Sequence, residues 1–122
     1  MMFDPIPSSI SHIRSGKLIP LAVTGPTPSD ALPGVPMMSK FVNGYEAGSW
    51  FGIGAPKGTP AEIVNRLNKE VNAGLADAKI KERLAELGAT AVPGTPADFS
   101  AFISRETDKY QKVIREAKIT AK

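Results

Sequence analysis

Apolar positions recur at helical spacing in several separate stretches of the chain, and glycines and prolines separate these stretches from one another. Ile6, Ile10 and Ile13 fall at i, i+4 and i+7, which predicts a short amphipathic helix that ends at Gly16. A short apolar stretch over residues 18–23 follows and predicts a strand. The first elements expected along the chain are therefore a helix and then a strand.

The next part of the chain is rich in proline. Four prolines fall within residues 24–36, which predicts an irregular and relatively stiff connection. Residues 37–42 can then form one or two helical turns that end at Gly44. Beyond them, Trp50 and Phe51 interleave with small residues and predict a strand where another backbone approaches closely. These aromatic side chains can stabilise crossing strands or line a cleft, and the large area that they bury favours core packing.

A capped helix start follows this aromatic strand. Thr59 is a favourable N-cap, Pro60 suits the first helical position, and Glu62 stands three residues after the cap, where it completes a capping box. The helix that these residues open carries an apolar stripe of Ile63, Val64, Leu67, Val71 and Leu75. This stripe predicts a helix that packs on a sheet.

Two further helices have similar start signals. Asp77 can cap a helix that Gly88 ends, and residues 89–92 then predict a short strand. Thr95 and Asp98 repeat the capping arrangement and open a long helix. Its predicted buried side consists of Phe99, Phe102, Ile103, Tyr110, Val113 and Ile114. Strands that alternate with helices predict an α/β fold, in which short, mostly parallel strands are covered by helices.

Composition limits the classes of function. The chain has 122 residues, 42% of them hydrophobic and 22% charged, which is typical of one globular domain. The net charge of +3 comes from dispersed residues, so no nucleic-acid partner is indicated. The absence of cysteine excludes disulfides, thiol nucleophiles and cysteine metal clusters. No apolar run approaches the ~18 to 20 residues that span a bilayer.

Catalytic and metal-binding candidates are few. His12 is the only histidine, and without a second histidine or a cysteine it cannot make a typical zinc site. Ser8, Ser9 and Ser11 surround it in sequence, which leaves a small hydrolase as a rival hypothesis. Nucleophilic catalysis requires a serine, a base and an orienting acid that converge in space, and no such set can be named. Capping and solvation explain these residues better, so no catalytic residue, metal or cofactor is predicted.

Six short motifs follow one another along almost the whole chain. They are MFD at residues 2–4, HIRSGK at 12–17, LAVTG at 21–25, ALPGVP at 31–36, GYEAGSWFGIGAPKGTP at 44–60 and RLAELGA at 83–89. Their order and spacing resemble the C-terminal part of the tripartite tricarboxylate transporter receptors, the Bug-type periplasmic solute-binding proteins.

The resemblance implies a fold and a division of the chain. Family members have two lobes of the periplasmic binding protein type II fold, and this chain is similar to a C-terminal fragment of it. Residues 1–45 would then belong to the second lobe and residues 46–122 to the segment that returns to the first lobe. The hinge crossing would lie near residues 44–52. A fragment of this kind leaves strand edges and helix stripes exposed, so it is expected to form a homo-oligomer.

The resemblance also implies a function. Such a receptor captures a small carboxylate and delivers it to the membrane subunits of a transporter, without catalysis and without a cofactor. A periplasmic location follows from the resemblance alone, because the first residues of this chain lack the pattern of a secretory signal. The alternative is a stand-alone cytoplasmic sensor or interaction domain that is derived from the same fold and has no role in transport.

Phe3 and Asp4 are the candidate ligand-binding residues. The apolar start of the chain, followed by Asp4 and Pro5, marks the end of a strand where the chain turns. Ligands of open α/β sheets collect at such carboxyl ends of strands. The resemblance places Phe3 as a wall of the cleft between the lobes and Asp4 as a hydrogen-bond acceptor there. A second interpretation is that Asp4 caps the helix that follows it, and the two roles are compatible. Asp4 is not the main holder of an anionic ligand, because two carboxylates repel each other.

Overall fold

The computed structural model describes residues 1–120, so the predicted segment 46–122 extends two residues beyond the described part. Within residues 1–120 the chain forms four α-helices and one short 3-10 helix. They are α1 (Ile6–Arg14), the 3-10 helix (Met38–Lys40), α2 (Ala61–Ala76), α3 (Ala78–Glu86) and α4 (Pro96–Glu116). The chain folds into two compact units, and each unit is built from two stretches that are not contiguous in sequence.

The described residues do not form the mostly parallel sheet that the sequence pattern predicts. Their β pairing is one parallel bridge between Val23 and Met37. The Val23 N–H donates to the Pro36 carbonyl at 2.9 Å, and the Met38 N–H donates to the Val23 carbonyl at 2.8 Å. Of the predicted strands, the one at residues 18–23 is reduced to the bridge at Val23, and those around Trp50 and at residues 89–92 do not form in the described chain. A strand requires a second backbone beside it, which an apolar pattern cannot supply by itself.

The first unit contains Met1–Gly54 and Gly74–Val92. Its core consists of Ile10, Val23 and Leu32, which are 4%, 6% and 8% exposed. The partly buried residues around this core are Ile6, Ile13, Ala31, Val35 and Met37. Helix α1 therefore packs its apolar stripe on the connection that follows it, as its i, i+4, i+7 spacing predicts. Gly16 ends α1 with a φ of +72°, and this prediction is also confirmed.

Gly88 fixes where the end of α3 lies. Its φ is +70°, a left-handed conformation that residues with a Cβ rarely adopt. A Cβ at this position would collide with the Ile6 side chain and would stand 3.4 Å from the Ala31 Cβ. Two independent constraints, the backbone angle and the close approach of Ile6, therefore require glycine here. The missing side chain allows the end of α3 to lie directly against the first turn of α1.

The predicted caps of α3 and α4 are confirmed. The Asp77 carboxylate accepts hydrogen bonds from the backbone N–H groups of Lys79 at 2.9 Å and Ile80 at 3.1 Å. At the start of α4, the Thr95 hydroxyl accepts from the Asp98 N–H at 3.1 Å, and the Asp98 carboxylate accepts from the Thr95 N–H at 2.9 Å. The Thr95 hydroxyl also donates to the Asp98 carboxylate at 2.6 Å. These bonds satisfy backbone donors that the first turn of a helix leaves unpaired.

Helix α2 begins one residue later than the sequence pattern predicts. Its first residue is Ala61, and the Pro60 carbonyl accepts from the N–H groups of Ile63 and Val64. The Thr59 hydroxyl donates to the Pro56 carbonyl at 2.8 Å and so closes the preceding turn. Thr59 therefore lies outside the helix, and Pro60 supplies the first helical carbonyl. Among the described residues, no hydrogen bond joins Thr59 to Glu62, so the predicted capping box does not form.

The second unit contains Ala55–Ala73 and the described residues from Pro93 onward. Asn72 holds its two parts together, because its amide donates to the Gly94 carbonyl at 2.9 Å and accepts from the Gly94 N–H at 3.2 Å. Asn68 donates to the same carbonyl at 2.9 Å. The loop before α4 is therefore tied to α2 through side-chain amides, an arrangement that the apolar pattern does not indicate.

The apolar stripes of the second unit are only partly covered within the described chain. On α2, Ile63 and Leu67 are 46% and 50% exposed, and on α4 Val113 and Ile114 are each 47% exposed. Phe99 and Phe102 are half-buried and stack with ring centroids 6.5 Å apart. The prediction that the stripe of α4 is buried is therefore wrong from Ile103 onward, since burial requires a covering layer as well as an apolar stripe.

Replacement of Gly88 by alanine should destabilise the chain more than replacement of Gly16, although the two glycines have nearly the same φ. Gly16→Ala adds only the left-handed backbone cost of ~1 to 2 kcal/mol, because nothing lies within 4 Å of its new Cβ. Gly88→Ala adds the same cost and a collision with Ile6, which should raise the loss by a further ~1 to 3 kcal/mol. Urea unfolding followed by circular dichroism measures both. Equal losses would show that Ile6 moves aside without cost.

The capping box of α4 should weaken in acid. The hydrogen bond from the Thr95 hydroxyl and then that from its backbone N–H lower the pKa of the Asp98 carboxyl below its ordinary value. Because the folded-state pKa is lowered, the stabilisation is present above the unfolded pKa and is lost as the pH falls through the folded one. We expect Thr95→Ala to raise the Asp98 titration midpoint in carboxyl NMR, and Thr107→Ala on the same helix to leave it unchanged. An unaltered midpoint in Thr95→Ala would contradict this account.

Candidate functional site

The candidate site lies at the start of α1, in the first unit. Pro5 occupies the N-cap position with φ −59° and ψ 139°, and Pro7 stands in the first turn. Proline is tolerated at this end of a helix because its missing N–H would have no partner within the helix. The Pro5 carbonyl accepts the first helical bonds from Ser8 N–H at 3.1 Å and Ser9 N–H at 3.3 Å. The backbone that precedes α1 is therefore held in one direction by proline and by the first helical bonds.

Asp4 is exposed and reaches α1 through a side chain. Its Oδ2 accepts a hydrogen bond from the Ser8 hydroxyl at 2.6 Å. The N-cap residue is Pro5, and no side chain caps a backbone N–H there. The capping interpretation of Asp4 therefore holds only in a modified form, because the carboxylate bonds a hydroxyl of the first turn. Within residues 1–120, the second oxygen, Oδ1, forms no hydrogen bond.

Phe3 lies on the surface beside Asp4. Its side chain is 67% exposed, so it takes no part in the core of the first unit. The structure thus presents an exposed aromatic ring and an exposed carboxylate at adjacent positions before α1. Such a pair offers an apolar contact and a hydrogen-bond acceptor to a small ligand.

The inner side of α1 anchors this surface. Ser9 is 7% exposed, and its hydroxyl donates to the Pro5 carbonyl at 3.1 Å. Ile10 belongs to the core, and Ile6 lies where Gly88 leaves room for it. Asp4 therefore precedes a helical turn that is fixed by contacts on its opposite side.

The remaining candidates take no part in this site. His12 lies exposed in the last turn of α1, and its carbonyl accepts from the N–H groups of Lys17 and Leu18. Among the described residues no three His, Cys, Asp or Glu side chains are placed to hold a metal ion. None of the helices described here has the length and apolar character to cross a membrane.

Trp50 and Phe51 differ from the sequence prediction. Their side chains are 43% and 87% exposed, so the core packing that the pattern favours is not present in the described chain. They lie in a connection without helix or strand, and the Ala47 N–H just before them donates to the Thr24 carbonyl at 2.9 Å. Without a neighbouring strand on which to pack, these rings remain at the surface.

Ser8 is the residue of the site that the sequence pattern does not single out. The pattern groups it with the solvated serines around His12, whereas its hydroxyl contacts the candidate ligand-binding residue. The signal is present in the spacing, because a serine four residues after an aspartate lies within reach once a helix forms between them.

Comparisons with known proteins identify the family. A sequence model described as "Tripartite tricarboxylate transporter family receptor" matches residues 1–119. BugT of Bordetella pertussis is 38% identical over 116 residues, which cover 93% of this chain and 35% of that protein. A protein encoded in the tcbD-tcbE intergenic region of Pseudomonas sp. strain P51 is 34% identical over 99% of this chain and 37% of its own length. The chain therefore spans about a third of the length of these relatives.

Two solved structures have the same fold over most of this chain. R. palustris Rpa4515 with adipate has a TM-score of 0.83 and 37% identity, and the match covers 90% of this chain and 37% of that one. The periplasmic binding protein BugD has a TM-score of 0.83 and 33% identity, with 93% and 39% covered. These matches confirm the resemblance that the six motifs indicate. The family consists of solute-binding receptors, a non-enzymatic kind of protein, and this chain belongs to the tripartite tricarboxylate transporter receptor family.

Proposed function

We propose that this chain forms part of a periplasmic receptor that captures a small carboxylate and delivers it to the membrane subunits of a tripartite tricarboxylate-type transporter. The observation that carries the proposal is the likeness to Rpa4515 with adipate, at a TM-score of 0.83 over 90% of this chain. The sequence identity of 37% is well above the level at which two proteins share only a general architecture. The family match over residues 1–119 supports the same conclusion.

Phe3 and Asp4 are proposed as the part of the ligand site that this chain supplies. An ionised carboxylate only accepts hydrogen bonds, so Asp4 would receive one from a ligand hydroxyl, an amine or an intervening water. It would repel a ligand carboxylate placed directly against it. Phe3 would cover the hydrocarbon part of the ligand. The exposure of both side chains and their adjacent positions support these roles.

The proposed mechanism is closure of two lobes around the ligand. The proposed division assigns residues 1–45 to the second lobe and residues 46–122 to the first, with a hinge near residues 44–52. Gly74–Val92, which form one compact unit with Met1–Gly54 in this chain, would then be first-lobe residues that contact the second lobe. Hinges absorb changes of φ and ψ at a few residues outside regular elements. Gly44, with a φ of +72°, and the residues without helix or strand that follow it are suited to that role. Ligand contacts that are made only in the closed state would then favour closure.

The predicted strands are proposed to form when the apolar runs have neighbours. Ile19 and Leu21 are 82% and 66% exposed, and Phe51 and Ile53 are 87% and 73% exposed. Exposed apolar runs of this kind are found where another backbone or another layer packs. In a receptor of family length, chain beyond this third would supply that partner.

Binding of carboxylates should depend on the rest of a receptor. We expect the isolated chain to bind adipate, succinate or malate weakly or not at all, because a functional pocket surrounds most of its ligand. A hybrid receptor in which residues 1–119 replace the matching region of BugT should bind at least one of them more tightly than the isolated chain does, because its pocket surrounds the ligand. Calorimetry measures both proteins. Micromolar binding by the isolated chain would contradict the expected dependence, and a folded hybrid that binds no carboxylate would contradict the proposed function.

Asp4→Asn in the hybrid tests the role of this residue. Asp30→Asn is the matched control, because Asp30 is another exposed aspartate. Only Asp4→Asn should alter the affinity or the ranking of the three ligands. If both variants retain the parent affinities, Asp4 does not contact the ligand.

Self-association of the isolated chain is expected because its apolar runs are exposed and have no neighbouring strand within the described residues. A second copy can cover exposed apolar runs by strand pairing or by exchange of elements. Light scattering after size exclusion should therefore find a dimer or a larger species, and Phe51→Ser with Ile53→Ser should shift it towards the monomer. A well-folded monomer at high concentration would contradict this expectation.

A further inference from the structure

We propose that Ser8 is a positioning residue that orients the Asp4 carboxylate, so that Oδ2 is bound to the protein and Oδ1 is presented to the ligand. The proposal rests on the proposed function, in which Asp4 belongs to the ligand site. It adds a residue that acts through Asp4 without touching the ligand. It also assigns different roles to the two oxygens of one carboxylate.

The Ser8–Asp4 contact has the geometry of a strong hydrogen bond. The Ser8 Oγ lies 2.6 Å from Asp4 Oδ2, a distance typical of a hydroxyl that donates to an ionised carboxylate. The same hydroxyl lies 2.8 Å from the Pro5 carbonyl. A serine has a single hydroxyl proton, and a charged acceptor forms the stronger bond. The proton of Ser8 is therefore directed mainly to Asp4.

The backbone between the two residues keeps them at this separation. Pro5 restricts φ at the N-cap, and Pro7 restricts it in the first turn. The Ser8 N–H donates to the Pro5 carbonyl at 3.1 Å, so Ser8 is already part of the helix. On the opposite side, Ile6 packs where Gly88 leaves room. The Ser8 hydroxyl is thus held by a rigid turn, and the Asp4 carboxylate that accepts its hydrogen bond lies just before that turn.

The bond has a consequence for binding. An exposed aspartate exchanges among staggered side-chain rotamers, and a ligand that requires one of them must oppose that freedom. A bond between Ser8 and Oδ2 selects one arrangement before the ligand arrives. Because Oδ1 forms no hydrogen bond within residues 1–120, it is the oxygen that can accept a donor from the ligand or from a bound water. Preorganisation of this kind increases affinity by reducing the entropy lost on binding.

The test measures the Asp4 side-chain rotamer in the 122-residue chain by three-bond NMR couplings to its two β protons. In the unaltered chain at neutral pH we expect the unequal couplings of one predominant rotamer. Ser8→Ala should lose this inequality and give averaged couplings, whereas Ser8→Thr, which keeps the hydroxyl, should restore it. Ser11→Ala is the matched control, because Ser11 is an exposed serine of the same helix.

The outcomes separate positioning from a structural role. Circular dichroism should show that Ser8→Ala and Ser11→Ala keep the same helix content, since alanine favours helices. Unchanged Asp4 couplings in Ser8→Ala would overturn the proposal, even if that variant were less stable. The ligand affinity of Asp4→Asn in the hybrid receptor tests the proposed function separately. Unchanged couplings in Ser8→Ala would contradict the positioning role of Ser8 even if Asp4 binds the ligand. An unchanged affinity in Asp4→Asn would contradict the ligand-binding role of Asp4 even if Ser8 orients its carboxylate.

Discussion

The packing of α1 on Val23 and Leu32 is the contact on which the first unit and its candidate site depend. Ile10 contributes the most buried apolar side chain of the described residues, and burial of a side chain of this size stabilises the fold by ~1.5 to 3 kcal/mol. Val23 also forms the bridge to Met37, so one residue joins the helix to the connection that follows. Gly88 then brings the end of α3 against Ile6. The packing of α1 therefore supports the turn that carries Ser8, whose hydroxyl in turn bonds Asp4.

The chemistry of the candidate site follows from the fact that a carboxylate can only accept hydrogen bonds. Asp4 would bind an anionic group of the solute poorly, but it would be suited to accept a hydrogen bond from a donor group of the same solute. Ser8 occupies an acceptor site on Oδ2 and leaves Oδ1 open to a donor. A family of carboxylate receptors can thus contain an acidic residue in its ligand site without loss of affinity, provided that the ligand carboxylates are held elsewhere.

The balance between buried and exposed apolar residues supports the proposal that the chain is part of a receptor. Ile10, Val23 and Leu32 are the buried hydrophobic residues of the described chain, whereas Phe51, Ile53 and other large apolar side chains are mostly exposed. Single exposed apolar residues are normal, but extended exposed runs and helix stripes mark surfaces that pack on something else. BugT and the Pseudomonas sp. strain P51 protein are each about three times as long as this chain, which agrees with a need for further covering layers.

The sequence by itself determined the helices, the caps of α3 and α4, and the family. The ends of α1, α3 and α4 could be predicted because Gly16, Asp77 and the Thr95–Asp98 box act through bonds that span only two to four residues. Phe3 and Asp4 could be nominated from the chain turn before Pro5 together with the resemblance, and the partner of Asp4 became visible once a helix placed Ser8 beside it. Only the tertiary structure decided that the apolar runs stay unpaired, that Gly88 makes room for Ile6 and that Asn72 holds Gly94. These features join residues far apart in sequence, and no local pattern states which distant backbone or side chain will lie beside a given residue.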